Sequence, residues 1–262
     1  MNQSKWFLLG ELSIKRDLMY RADFLMSLIV TPAIIFINYF VWKAVFSTVD
    51  NVAGFTFAGM MGYVVYSQLI SIFIFNNTSS QLQQKVQSGD LAQDLLKPLH
   101  PFYSLFAAAA SSRIVAVGLE VLPLFVFAYF VFHPVTPYGF VAVFFVISLI
   151  LAFVLNFLLS LIVGLVSFWT IKVEGFQWLT WILFRVFSGE FFPLNLLPQW
   201  AQAVSHFMPF EYLRYRIAIM PINPVSSAIW TVIGQIIWIV ILAFVVAFLW
   251  KSVLKRFTIA GG

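Results

Sequence analysis

The chain has 262 residues, of which 62% are hydrophobic and only 10% are charged, with a mean hydropathy of +0.96. About a quarter of the residues in a soluble domain are charged, so this composition indicates an integral membrane protein and excludes an ordinary soluble fold. Cysteine is absent, which excludes disulfides, thiolate nucleophiles and cysteine-ligated metal sites in this chain.

Charge-poor runs long enough to cross about 30 Å of hydrocarbon, or roughly 20 helical residues each, predict six transmembrane helices. The runs are continuously apolar and do not alternate with a period of two, so the strands of a membrane barrel are not expected. The predicted fold is therefore an all-α integral membrane protein with one transmembrane domain over residues 1–262. The six spans cover about 24–42, 55–76, 104–132, 138–168, 172–190 and 225–250.

Two segments outside the spans have predicted structure of their own. Residues 1–23 mix aromatic and leucine side chains with basic ones, which predicts a helix lying in the membrane interface. Residues 191–223 are apolar but broken by four prolines. Irregular backbone at membrane depth requires protein or a water-filled cavity around it. This predicts a half-entering helical hairpin on the external side, between the fifth and sixth spans, with Pro198 and Pro209 each in a first helical turn.

A third segment follows the second span and contains SGDLAQDLLKPLHP, residues 88–101, which belongs in water. Apolar residues recur through it at helical spacing: Leu82, Val86, Ala92, Leu95, Leu96 and Leu99. Asp90 is a predicted N-cap with Gln93 as its capping-box partner, and Pro98 is predicted to end the helix. A short amphipathic helix is expected to display Gln83, Gln84, Gln93 and Asp94 to the cytosol. The residues alone leave open that this helix only joins two spans.

The placement of lysine and arginine predicts the orientation, since membrane-flanking loops rich in these residues stay in the cytoplasm. Six spans put eleven basic residues on the side of the two termini and three on the opposite side. Both termini are therefore expected to be cytoplasmic in a plasma or inner membrane. The net charge of +5 then reflects contacts with anionic membrane lipids and does not favour nucleic-acid binding.

Charged side chains inside the spans are candidates for a translocation path, because each costs at least about 2.5 kcal/mol at the bilayer centre. Glu120 and Arg185 are expected at depth, with Trp181 on the helix of Arg185 and Glu190 beyond it. Arg185 could line the path or reach outward toward the half-entering segment. Arg113 is expected to extend to the cytoplasmic surface.

Catalytic and metal-binding motifs are not found. The sequence contains no Gly-Lys pair, so ATP is not bound through a phosphate loop, and HExxH, DxD and GxGxxG are absent. The three histidines fall on both predicted sides of the membrane, which does not predict a metal site. The chain is therefore expected to be neither an enzyme nor a cofactor carrier.

Two longer motifs carry a family resemblance. SGDLAQDLLKPLHPFYSLFA resembles the segment after the second helix in permease subunits of ABC-2-type exporters, and residues 188–220 resemble their external hairpin signature. Within this family the chain is similar to viologen and daunorubicin-type multidrug export permeases. Arg214 and Arg216 depart from the family pattern. The matching hairpin residues are Gly189, Pro193, Leu197, Pro198, Trp200, Pro209, Phe210 and Tyr212.

This resemblance implies a permease that forms a translocation path with a second permease, identical or related, and is driven by two cytoplasmic ATPase subunits that bind ATP and magnesium. Residues 81–98 would be the coupling helix, docking in an ATPase groove. The expected substrates are hydrophobic or amphipathic compounds, drug-like or lipid-linked. An ion- or proton-coupled secondary exporter and a non-transporting membrane scaffold stay open as alternatives. The coupling residues would be Leu82, Val86, Asp90, Leu95, Leu96 and Pro98.

Overall fold

The computed structural model describes residues 21–169 and 174–260, and all regular elements in these ranges are helical. Residues 1–20 of the predicted interfacial helix lie outside the described residues, and residues 21–23 form the start of the first helix. The α-helices are α1 (Arg21–Phe46), α2 (Phe57–Ile74), α3 (Thr78–Ser88), α4 (Asp90–Leu95), α5 (Pro101–Ala116), α6 (Leu122–Phe132), α7 (Gly139–Leu165), α8 (Glu174–Phe187), α9 (Gln199–Phe207), α10 (Tyr215–Ala218) and α11 (Val225–Ala260).

Five helical stretches in the described residues are long and apolar enough to cross a membrane. They coincide with five of the six predicted spans, so the predicted all-helical membrane fold is confirmed. The remaining predicted span falls on α8, whose 14 residues extend only about 21 Å. The sixth crossing therefore stays a prediction. The five stretches are Met26–Phe46, Phe57–Ser88, Pro101–Phe132, Gly139–Phe168 and Val225–Lys255.

Several helices extend past the apolar runs that predicted them. α11 continues through Lys251 and Lys255, because a helix need not end where the hydrocarbon ends. α5 starts at Pro101, whose missing N–H costs nothing in a first turn. α5 and α6 are joined by a π-helical turn, Val117–Val121, which hydropathy does not signal.

The segment with the predicted capping box forms two helices, α3 and α4, which meet at Gly89. Gly89 has a φ of +80°, a left-handed conformation that glycine adopts without steric cost, and it flanks both helices. Asp90 is the first residue inside α4 and not its N-cap, so the predicted capping box with Gln93 is not formed. The Asp90 carboxylate instead accepts a 2.7 Å hydrogen bond from the Ser88 hydroxyl.

The bundle is held together by three apolar clusters. One joins α2, α7 and α11 with the segment that follows α8, and it contains Met60, Leu155 and Ile217. A second joins α3, α4, α5, α7 and α11 around Leu82 and Leu161. The third joins α1, α2 and α6. Helix α7 packs along both α11 and α3, so it is the central helix against which the functional elements are placed.

The predicted half-entering hairpin contains one α-helix of more than two turns, α9, and several shorter turns. Pro198 immediately precedes α9, as expected for a residue at a helix start. Pro209 begins a 3-10 turn, Pro209–Tyr212, and not a second α-helix. The buried side chains of Leu194 and Leu213 pack into the cluster with α2 and α7, so the segment folds onto the bundle.

Candidate functional site

A cavity of about 420 Å³ lies between α8 and the junction of α2 with α3, and α7 also lines it. This volume is in the range of small-molecule sites. The lining combines aromatic side chains with amides, hydroxyls and two arginines: Phe75, Asn76, Asn77, Ser79, Ser80, Asn156, Ser160, Val163, Gln177, Trp178, Thr180, Trp181, Phe184, Arg185 and Arg214.

The cavity lies beside an interruption of the second long helix, at residues 75–77 between α2 and α3. Two side chains from neighbouring helices satisfy carbonyl groups at this interruption. Asn156 Nδ2 of α7 donates to the Ile74 carbonyl at 2.7 Å, and Arg113 Nη1 of α5 donates to the Ile72 carbonyl at 2.7 Å. Because an unpaired carbonyl is costly when it is shielded from water, these bonds stabilise the irregular backbone. Arg113 is thus paired with a carbonyl near the end of α2, and its predicted extension to the cytoplasmic surface stays a prediction.

An ionic cluster of Arg185, Glu190 and Arg214 adjoins the cavity. The Glu190 carboxylate is paired with Arg185 through one oxygen and with Arg214 Nη2 at 3.0 Å through the other. Arg214 Nη1 also donates to Ser188 Oγ at 2.7 Å, and the Arg185 guanidinium lies 4.2 Å from the centre of the Trp181 ring. Because two arginines share one carboxylate, the cluster carries a net positive charge.

The structure brings together three of the four residues predicted for a translocation path. Arg185 and Trp181 line the cavity. Glu190 is not a lining residue but forms an ion pair with Arg185. Glu120 lies elsewhere, in the π-helical turn that packs against α1 and α2, and is not among the lining residues. Arg214 is a lining residue that sequence reasoning missed; the only signal was its departure from the hairpin signature.

Gly189 is the hairpin-motif residue with the tightest surroundings. Its φ is +79°, and its carbonyl accepts a hydrogen bond from the Tyr63 hydroxyl. A Cβ atom at this position would lie 2.5 Å from Tyr63 Oη, so glycine permits this close approach of the chain to α2. Of the other motif residues, Pro193, Pro198 and Pro209 each adjoin or begin a helical turn, and Trp200 is 68% exposed.

The predicted coupling residues differ in accessibility. Leu82 is fully buried against α7, where a Cβ on Gly164 would lie 3.1 Å from it, so Leu82 is unavailable to a partner, contrary to expectation. Val86 and Leu95 are half-buried in the same cluster. Leu96 is 88% exposed and is the apolar side chain that a partner could contact. The polar or turn-forming candidates, Asp90 and Pro98, are exposed.

Two polar side chains predicted to face the cytosol are buried. Gln83 accepts a 2.7 Å hydrogen bond from Gln177 of α8. Asp94 forms ion pairs of 2.6 Å with both Lys85 and Lys97. Burial alone would raise the pKa of the Asp94 carboxyl, but the hydrogen bonds and charges of the two lysines outweigh burial and lower that pKa. Asp94 therefore ties α4 to the end of α3.

Within the described ranges, no group of three or more histidine, aspartate or glutamate side chains is arranged to hold a metal ion. Comparison with protein families gives a match over residues 33–261 to the family described as "ABC-2 family transporter protein". A search of curated proteins returned no match. The family match includes the cavity, the ionic cluster and the α3–α4 segment.

Proposed function

Because the chain belongs to the ABC-2 family of transporter proteins, we propose that it is the membrane permease subunit of an ATP-driven exporter. The observation that carries this proposal is the polar cavity beside a broken membrane helix, next to the compact α3–α4 segment. Irregular backbone at membrane depth is typical of transporters where it lines a cavity. The chain lacks a phosphate-binding loop, so two copies of a separate cytoplasmic ATPase would bind ATP and magnesium.

The α3–α4 segment is the proposed contact with the ATPase. The exposed Leu96 side chain offers an apolar anchor for a groove, and the ion pairs of Asp94 hold α4 in position against α3. α3 is continuous with the cavity wall through Ser79 and Ser80. A movement imposed on α4 would therefore reach the cavity through α3, to which Lys85 and Asp94 tie it.

We also propose that α8 and the residues around it make the sixth crossing, with both termini in the cytoplasm. Near its start, α8 contacts α3 through Gln177 and Gln83, and just beyond its end Gly189 contacts Tyr63 of α2. Tyr63 lies on α2 and Gln83 on α3, so the two contacts fall on either side of the interruption at residues 75–77. The α8 segment thus contacts both α2 and α3.

A second permease, identical or related, would complete the path. Trp178 and Trp181 of α8 line the cavity while remaining 64% and 44% exposed, so an apolar surface continues from the cavity to the outside of the bundle. Aromatic surface of this kind suits either a neighbouring permease or the apolar part of an amphipathic substrate.

The ATPase contact is tested by replacing Leu96 with aspartate in a tagged chain expressed from its own genomic region. The Leu96→Asp chain is expected to insert in the membrane in normal amount but to lose its ATPase on purification. Val49→Asp is the control, since it adds the same charge at an exposed position of the opposite loop. Unchanged recovery of the ATPase with Leu96→Asp would contradict the contact. Efflux by the chain alone, driven by a proton gradient, would instead favour a secondary exporter.

The crossing number is tested with single cysteines, because the natural chain has none. Ser4→Cys and Gly262→Cys should react with a membrane-impermeant maleimide only from the cytoplasmic side. Reaction of the two positions from opposite sides would show an odd number of crossings and exclude α8 as the sixth.

A further inference from the structure

The lining of the cavity points to the charge of its ligand. Among the described lining residues, Arg185 and Arg214 are cationic, the others are neutral, and none is acidic. Among the residues whose side chains are described, Glu190 pairs with both arginines, and its side chain is 6% exposed. An arginine guanidinium stays protonated under all physiological conditions. The described lining therefore presents two positive charges, of which the Glu190 carboxylate balances one.

This positive charge is energetically costly because both arginine side chains are largely buried. The side chains of Arg185 and Arg214 are 23% and 12% exposed, and the Nε atom of each is buried without a hydrogen-bond partner among the described residues. Burying a charge without a matching counter-charge is unfavourable, and unsatisfied buried polar groups are rare in native proteins. An anionic group entering the cavity would supply the missing counter-charge.

The remainder of the lining is suited to an apolar group next to that anion. Trp181 and Phe184 precede Arg185 on the same helix, and Trp181 stacks on its guanidinium. Amide and hydroxyl groups also line the cavity, from Asn76 at the interruption between α2 and α3 and from Asn156 and Ser160 on α7. The lining thus combines aromatic surface with neutral hydrogen-bonding groups.

Resting on the proposed export function, we infer that the substrate is an anionic amphiphile, with a phosphate or carboxylate group that binds Arg185 and Arg214 and an apolar part that packs on Trp181 and Phe184. Cationic aromatic compounds, the class suggested by the similarity to viologen-type export permeases, are disfavoured because both arginines repel them. Discrimination by charge follows because the Arg185 and Arg214 side chains are largely buried, so their repulsion of a cation is less screened than it would be on an open surface.

The inference is tested by measuring how fluorescent probes bind to the full-length chain in nanodiscs of phosphatidylcholine, a lipid that has no net charge. Three dansyl probes of equal chain length are compared: dansylaminoundecanoic acid, its neutral methyl ester and a trimethylammonium analogue. Dansyl fluorescence is titrated against protein. The acid is expected to bind about tenfold or more tighter than the cation, in keeping with a hydrogen-bonded ion pair. Equal or tighter binding of the cation would overturn the inference.

Two variants connect the charge preference to the cluster. Arg185→Gln leaves Glu190 paired with Arg214 alone, so the cluster becomes neutral. This variant is expected to bind the acid about tenfold more weakly and the methyl ester with unchanged affinity. The double variant Arg185→Gln with Glu190→Gln leaves Arg214 as an unbalanced cation, so affinity for the acid should return. Lys43→Gln is the matched control, since it removes one exposed positive charge elsewhere. Unchanged affinity in Arg185→Gln, with the protein folded, would overturn the assignment.

The same assay distinguishes an amphiphilic ligand from a small anion. It also tests the substrate class independently of the proposed export function. Inorganic phosphate at the concentration of the probe should not displace it, and displacement would overturn the requirement for an apolar part. Probe binding needs no ATPase. Failure of charge selectivity in a chain that purifies with its ATPase therefore rejects only the substrate class, and selective binding without an ATPase rejects only the ATP-driven function.

Discussion

Asn156 Nδ2 donates a hydrogen bond to the carbonyl oxygen of Ile74, 2.7 Å away, and so joins the middle of α7 to the last residue of α2. A continuous helix would satisfy that carbonyl from the N–H four residues on, but the chain leaves the helix at Phe75. The side chain of one helix thus replaces a backbone bond of another. Asn156 also lines the cavity, so one side chain both stabilises the interrupted helix and forms part of the cavity wall.

Replacing Asn156 with leucine should therefore destabilise the protein. The substitution keeps the side-chain size but removes the 2.7 Å bond to the Ile74 carbonyl and leaves it the longer 3.4 Å bond from Asn76 Nδ2, which is expected to lower the free energy of unfolding by about 1 kcal/mol. The measurement is the thermal unfolding midpoint of the purified protein in detergent. Asn38→Leu is the control, because Asn38 bonds the Ile34 carbonyl four residues earlier in its own helix. Equal effects of the two substitutions would contradict a special role for Asn156.

Gly164 sets the distance between α7 and α3. A Cβ atom at this position would lie 3.1 Å from both the Leu82 side chain and the Ser79 Cα, so a larger residue must displace α3. Gly164→Leu is expected to destabilise the protein by about 1–3 kcal/mol through overpacking and to weaken recovery of the ATPase. Gly118→Leu should do neither, since no atom lies within 4 Å of its added Cβ. The prediction fails if α3 tolerates leucine at 164 with an unchanged unfolding midpoint.

Asp94 should make the stability of α4 dependent on pH. Its folded-state pKa is lowered below the ordinary value of 3.8, despite the opposing effect of burial, by Lys85 and Lys97. The ion pairs therefore contribute fully above that ordinary value, and their contribution is lost as the pH falls through the lowered pKa. Amide hydrogen exchange of residues 90–95, corrected for the intrinsic effect of pH, should accelerate in acid.

Asp94→Asn should accelerate the same exchange already at neutral pH, by an amount equivalent to about 1–2 kcal/mol because Lys97 is largely exposed and screened. Asp90→Asn is the matched control, as the Asp90 carboxylate is exposed and bonds only the Ser88 hydroxyl among the partners described. Protection that is the same in both variants would show that the lysine pairs do not hold α4.

Much of the architecture follows from local properties of the sequence. The apolar runs predict five helices that the structure contains, because the free energy of inserting a helix depends on its own composition. Gly89 marks a helix boundary because its left-handed conformation is a property of the residue itself. The missing phosphate loop excludes ATP binding through that motif without any structure.

Contacts between distant segments required the tertiary structure. Leu82 and Leu96 both fit one helical apolar pattern, yet Leu82 is fully buried and Leu96 is 88% exposed, because α7 covers only one of them. Arg185 is 29 residues from Arg214 along the chain, and only folding of the hairpin onto the bundle places both against Glu190. Hydropathy sums the preference of each residue for membrane or water, whereas burial and charge balance depend on which helix faces meet.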